Sequence, residues 1–312
     1  MHAVSSRESA IATAPGSVGN VGPGLDILGL AVAGRSDQVT LAWADRPGIT
    51  IIAPGHPDLP TDPTRHSAAI AANEVFRIAG MTPKVTLAMV KELPLAAGQG
   101  GSAASAVAGA VAANHLVGAR LDATSLLNCA LIAETTVAGR HADNLAPSLL
   151  GGLVLVTSID PLEWIELPVP DALRVVLVHP EQRLLTRDAR AVLPAHVSRG
   201  DALAQAAHVA AMVAAAYRGD APAFGRAIVD RIAEPARAPM LPGFVEAQAA
   251  ARNAGGLGGS ISGAGPTAFA IVDDEGVGAR VATAMIAAYA ACGVIATARI
   301  ASVDRRGAQV GP

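Results

Sequence analysis

Aromatic side chains are scarce: two Trp, two Tyr and four Phe in 312 residues. A core of ordinary density must therefore come from aliphatic residues on regular elements. Cysteine is nearly absent as well. Cys129 and Cys292 stand alone in apolar patterns, with no CxxC and no His at metal-ligand spacing. That excludes a disulfide scaffold and a zinc finger, and predicts two buried thiols in a reducing compartment. Charge is thin, at 16% of residues and a formal net of -3, with no basic run. Neither nucleic acid nor an anionic membrane surface is an expected partner. The opening MHAVSSRESAIATAPGS lacks a basic start followed by an apolar block, so no signal peptide is expected and a cytoplasmic location is.

Between Glu92 and Arg120 there is no formal charge at all. Pro94, Gln99, Ser102, Ser105, Asn114 and several glycines nevertheless interrupt that stretch, and an Ala/Gly segment gains far less from lipid than a Leu/Ile/Phe one. A membrane span is excluded.

What is present is apolar periodicity, at 51% apolar residues, in a chain long enough for two domains. Short β-rich runs at 27–33, 38–43 and 48–53 predict an N-terminal sheet, 66–79 has helical periodicity, and 84–92 alternates like a strand. Helices are predicted from Ser102 to Val117 and from Ala123, capped by Asp122, to Glu134. Strands follow at 152–157 and 173–179, with the proline-punctuated PLEWIELPVP between them read as a connection. The domain boundary is placed there, near residue 160, dividing the chain into 1–160 and 161–312. The second half alternates helices (202–217, 243–253, 276–291) with strands (268–273, 294–301), an α+β pattern.

Within LPLAAGQGGSAASAVAGAVAANHL, Pro94 ends a strand, Gly98, Gly100 and Gly101 open backbone angles closed to other residues, and a helix starts at Ser102 with unpaired N–H groups. Loop amides and the positive helix end suit a polyphosphate. A glycine turn needed only for packing is the bland alternative. Gly98 to Ala103 also fits the dinucleotide fingerprint G-x-G-x-x-G/A with Asp122 as ribose acid, but no strand separates the helix from Asp122. The Walker pattern fails because no Lys follows the glycines, so Mg²⁺ and other groups must supply positive charge. Two further glycine-rich segments, 14–30 and 255–267, predict one site assembled from both halves of the chain.

The order and content of these segments resemble the galactokinase, homoserine kinase, mevalonate kinase and phosphomevalonate kinase (GHMP) superfamily, and most closely its homoserine kinases. Pro15 to Leu30 follows PATSANLGPGFDSLGLA, Pro94 to Ala104 follows PxxxGLGSSAA, and the segment through Ser262-Gly263-Ala264-Gly265-Pro266-Thr267 is similar to the third motif. His141 to Pro147 resembles HxDNVAP, Thr186 to Pro194 resembles STxEARxxLP, and Glu234 to Arg237 with Leu241 to Gly243 resembles EPxR followed by LPG.

The resemblance implies a two-domain GHMP-kinase-like fold, an N-terminal α+β domain with the phosphate loop and a ferredoxin-like C-terminal domain, as a homodimer. It implies an ATP- and Mg²⁺-dependent kinase of L-homoserine in threonine synthesis. A kinase of another small alcohol, such as threonine or mevalonate, and a nucleotide-binding regulator without catalysis remain as alternatives. ATP phosphates are assigned to Pro94, Leu95, Ala96, Ala97, Gly98, Gln99, Gly100, Gly101, Ser102, Ala103 and Ala104, and Mg²⁺ to Ser102 and Glu134. Arg190 and Arg237 suit the substrate carboxylate, since a guanidinium binds it through two parallel hydrogen bonds, and Asp26 suits the ammonium. Asn20, Asn144 and Thr186 match orienting positions, Thr186 near the reacting hydroxyl, and Gly263 joins them. Mevalonate kinase relatives are expected to carry an aspartate base in this general region, where the resembling homoserine kinase pattern has an amide, here Asn144, and an amide is no useful base. The hydroxyl proton is therefore assigned to a phosphate oxygen or water, and His141 to a structural role. Four departures stand out: Gln99 for the usual leucine, Gly101 for the first serine, Val18-Gly19-Asn20 for the usual SAN, and Asp62-Pro63-Thr64-Arg65 where an asparagine is common on the adenine side.

Overall fold

The structure is a computed structural model and describes residues 8–311. Met1 to Arg7, part of the stretch read as carrying no signal peptide, and Pro312 lie outside them.

The first half builds a seven-stranded sheet with helices stacked on it. β1 (Ser9–Gly19) pairs antiparallel with β2 (Leu28–Trp43), and β2 with β4 (Lys84–Val90). β3 (Gly48–Ala53) runs parallel to β4, because α1 (Ser67–Ile78) carries the chain across between them. β5 (Leu153–Ile159) pairs with the start of β2 and forms a hairpin with β6 (Leu162–Leu167). β11 (Gln309–Val310) returns from the end of the chain to the edge of β1.

The uncharged stretch becomes α2 (Gly101–Leu116), whose residues are nearly all buried. It packs against α1, against α3 (Ala123–Val137) and against β1 and β2. A helix enclosed on every side must be apolar all round. Its small residues have a steric reason: a Cβ on Gly109 would collide with the Ala68 carbonyl of α1. α4 (Leu145–Leu150) closes the end of this layer.

The second half carries a four-stranded antiparallel sheet in the order β10-β7-β9-β8, from β7 (Arg174–Pro180), β8 (Gly258–Ile261), β9 (Ala268–Val272) and β10 (Ala296–Ser302). Numbered within the domain that order is 4-1-3-2, the ferredoxin-like arrangement. Its helices are α5 (Thr186–Ala191), α6 (Arg199–Arg218), α7 (Ala221–Arg226), α8 (Ala233–Arg237), α9 (Phe244–Asn253) and α10 (Glu275–Ala291). α9 and α10 cover one face around Phe244 and Tyr289. The other face is joined to the first half by a shared core, in which Val18, Leu28 and Leu30 meet Val175, Phe224 and Phe269. The two halves are therefore joined through packed side chains and not by the connecting chain alone.

Several sequence expectations need correction. The runs at 27–33 and 38–43 form one strand, β2, because residues 33–35 bulge out where Pro15 pairs with Ser36 and Gly16 with Val32. β1 was not expected, since its Pro15 and Gly16 read as loop residues. PLEWIELPVP is not a plain connection but contains β6, so residue 160 falls in the turn of the β5–β6 hairpin and the change of sheet comes between β6 and β7. Cys129 is buried, and burial pushes its thiol pKa up to about 11, whereas Cys292 caps α10 and is exposed.

Candidate active site

A cleft of about 500 Å³ opens where the two halves meet. Its floor is the loop from Pro94 to Gly100 and the first turn of α2. Gly98 (φ 74°) and Gly100 (φ 67°) take left-handed backbone conformations, and a Cβ on Gly98 would strike the Ser262 carbonyl. Gly100, not a serine, caps α2. Ser102 is thus free of a capping role and donates to Glu134 Oε1 at 3.1 Å.

Glu134 comes from α3, is buried, and its Oε2 has no hydrogen-bond partner. Burial pushes its pKa up, against the opposing pull of His141 and the Ser102 hydroxyl. His141 lies 3.5 Å from Asp143, Nδ1 to Oδ1. Burial opposes its charged form, but Asp143 and Glu134 outweigh that and raise its pKa above the ordinary value. Asp143 Oδ2 accepts from the Asn20 main-chain N–H at 3.1 Å, and Asn144 Oδ1 accepts from the Ser17 hydroxyl at 2.9 Å.

On the opposite wall, Asn20 Nδ2 and Arg237 Nη1 both donate to the Gly263 carbonyl, at 2.8 and 3.0 Å. Arg237 Nε donates to Ala189 O. Arg190 of α5 grips Asp26 with both prongs, at 2.6 and 3.1 Å, which raises the guanidinium pKa further. Asp26 and Asn20 have positive φ, 61° and 67°, unusual for residues with side chains, and Asn20 Oδ1 holds the Asp26 N–H. Thr186 begins α5 at the mouth of the same cleft.

Most of the residues singled out in the sequence line this cleft: Asn20, Asp26, Pro94, Leu95, Ala96, Ala97, Gly98, Gly100, Gly101, Ser102, Glu134, Asn144, Thr186, Arg190, Arg237 and Gly263. Three do not. Ala103 and Ala104 are buried inside α2, and Gln99, 5% exposed, turns its side chain away from the cleft.

Two residues were missed. Asp143 lines the cleft beside Asn144. Lys91 supplies a cation where no lysine follows the glycines. It donates to the Gly101 carbonyl at 2.8 Å and pairs with the fully buried Asp37. Burial lowers the Lys91 pKa although Asp37 pulls it up. The signal was available: Val85, Leu87 and Met89 alternate inward on β4, and Lys91 continues the same face.

Residues 66–152 match the family described as GHMP kinases N terminal domain, and residues 212–291 match GHMP kinases C terminal. Homoserine kinase of Chlorobium phaeovibrioides is 39% identical over 291 residues, covering 89% of this chain and 91% of that protein. Homoserine kinase of Arabidopsis thaliana is 39% identical over 307 residues, 95% of this chain and 83% of the relative. The chain belongs to the homoserine kinase family of the GHMP kinases. A crystal structure of homoserine kinase from Cytophaga hutchinsonii superposes over 100% of both chains with a TM-score of 0.94 at 36% identity.

Membership of this kinase family brings with it the use of ATP. No helix among the described residues is long and apolar enough to cross a membrane. Nor does any cluster of three or more His, Cys, Asp or Glu side chains among them form a ready-made metal cage. For a homoserine kinase family member that is compatible with Mg²⁺, which keeps several waters and takes only one or two protein oxygens beside substrate phosphates.

Proposed function

We propose that this cleft transfers the γ-phosphoryl group of ATP to the side-chain hydroxyl of L-homoserine. The substrate oxygen forms a bond to the γ-phosphorus, the bond to the β,γ-bridging oxygen breaks, and ADP leaves. The observation that carries this reading is convergence: a glycine loop opening a helix, a buried carboxylate beside a serine with one oxygen free of any hydrogen bond, and a cation–anion wall meet in one cleft.

The loop amides from Gly98 to Ser102 cradle the phosphates and the start of α2 adds positive potential, while Lys91, its charge offset by Asp37, braces the Gly101 carbonyl. Ser102 and Glu134 fit Mg²⁺, because both offer hard oxygens and Glu134 Oε2 is buried without a partner. Bound there, the ion would neutralise charge on the phosphate oxygens. Arg190 and Arg237 receive the carboxylate of the amino acid, and Asp26 its ammonium. Asn20, Asn144 and Thr186 orient the chain so that its hydroxyl meets the γ-phosphorus, and such alignment is worth about 7–11 kcal/mol. Asn144 is locked to Ser17 and is an amide, so the hydroxyl proton passes to a phosphate oxygen or water. The homodimer and the cytoplasmic setting implied by the family resemblance belong to the same proposal.

The test is ADP release by purified protein with Mg²⁺-ATP and homoserine, threonine or mevalonate in parallel. Homoserine turnover far above the other two supports the reading. Preference for another alcohol, or nucleotide binding with no turnover, overturns it.

A further inference from the structure

Gln99 stands where the resembling loops carry leucine, yet it is not a surface substitution. Its side chain leaves the cleft and enters a polar seam between the two halves of the molecule. Nε2 donates to the hydroxyl of Thr267 at 3.3 Å, and Oε1 accepts from Arg299 Nη2 at 3.4 Å. The Thr267 hydroxyl, which is fully buried, also meets His179 Nδ1 at 3.1 Å. Arg299 Nη1 donates to Ala33 O at 2.8 Å, while its Nε is buried without a partner. Among the described residues no carboxylate forms an ion pair with this arginine, and burial together with nearby Arg35 pulls its pKa down to about 10.

The main chain of the phosphate loop is tied to the same seam. Ala97 O accepts from the Thr267 N–H at 3.2 Å, Gly98 O from the Ser262 hydroxyl at 2.7 Å, and Gln99 O from the Ser17 N–H at 3.1 Å. With its carbonyls fastened outward, the loop is free to aim amides at the cleft.

We propose that Gln99 is a positioning residue for the nucleotide: its amide bridges Thr267 and Arg299 of the second half and so holds the phosphate loop in binding geometry. This rests on the proposed function only in that the loop takes nucleotide phosphates. The polar seam replaces the apolar packing that a leucine would offer. Removing one partner strands the others in a dry environment, and that penalty makes the bridge selective for one loop conformation.

The experiment is calorimetric titration of Mg²⁺-ADP into the full-length protein and into Gln99→Leu, Thr267→Val, Thr267→Ser and the Gln99→Leu/Thr267→Val double variant. Homoserine kinetics are run alongside. Each of the two leucine and valine single variants is expected to raise the ADP Kd about tenfold, and the double variant also about tenfold, because both break one bridge. Thr267→Ser keeps the hydroxyl and is expected to stay within about twofold of wild type. The KM for homoserine should move less than about twofold in all of them, since the bridge does not touch that wall. Unchanged ADP affinity in the single variants, or a double variant near one-hundredfold, overturns the proposal. Should Gln99→Leu fail to fold, the contrast between Thr267→Val and Thr267→Ser decides it. A wild-type protein that binds ADP but ignores homoserine removes the substrate assignment and leaves this inference standing.

Discussion

Arg190 and Asp26 hold each other across the cleft in a two-pronged ion pair, Nη2 2.6 Å from Oδ1 and Nη1 3.1 Å from Oδ2. One comes from α5 in the second half, the other from the turn before β2 in the first. Both groups are about one-third exposed, so the pair adds little to folding and is better suited to binding. A zwitterionic amino acid carries the two complementary charges.

Arg190→Lys keeps the charge and loses the planar fork. It is expected to lower kcat/KM for homoserine about 100-fold while the KM for ATP stays within about twofold. Steady-state kinetics with each substrate varied in turn provide the check, and an equal loss for both substrates would place Arg190 outside the acceptor wall.

Glu134→Gln preserves shape and removes the carboxylate assigned to the metal. The expected outcome is a fall in kcat of about 10²–10³ with a raised Mg²⁺ requirement. Folding should not suffer, because a buried carboxylate that burial already disfavours is replaced by a neutral amide. Kinetics across a Mg²⁺ series, paired with thermal unfolding, separate the two effects.

His141 carries a pH signature. Its folded pKa lies above the ordinary 6.5, so its contribution to stability is fully present below pH 6.5 and is lost as pH rises through the folded value. His66 and His179 have lowered values, mainly from burial, and act in the opposite sense. They remain in both proteins when wild type is compared with His141→Gln. The stability gap between the two, measured by urea unfolding, should be widest below pH 6.5 and shrink above it.

Lys91→Met would take the cation away from the fully buried Asp37 carboxyl and leave it only the Ser105 hydroxyl and the Leu93 N–H. A loss of about 3–5 kcal/mol in unfolding free energy is expected. Asp37→Leu/Lys91→Met should recover most of it, since the pair as a whole is removed.

Much of this architecture was legible because it repeats at short range. The glycines at 98, 100 and 101 announced the phosphate loop, and the alternation in Lys84 to Glu92 announced β4. Residues made functional by distant contacts were harder to see. Asp37 falls in the gap between the runs at 27–33 and 38–43, and it is the bulge opposite Pro15 and Gly16 that lets β2 continue through it. Lys91 lay outside any phosphate-loop pattern. Arg190 and Asp26 are 164 positions apart, and their pairing exists only once the two halves share a core. Gln99 read as an altered phosphate contact, and the fold turns it the other way.

The most direct measurement is phosphorus NMR of the product mixture from Mg²⁺-ATP and L-homoserine, with Glu134→Gln as control. The account predicts one new phosphomonoester signal, coupled to the methylene protons of the substrate side chain, growing in step with ADP and nearly lost in the variant. Inorganic phosphate with no phosphomonoester, or a product phosphorylated equally well by Glu134→Gln, would contradict it.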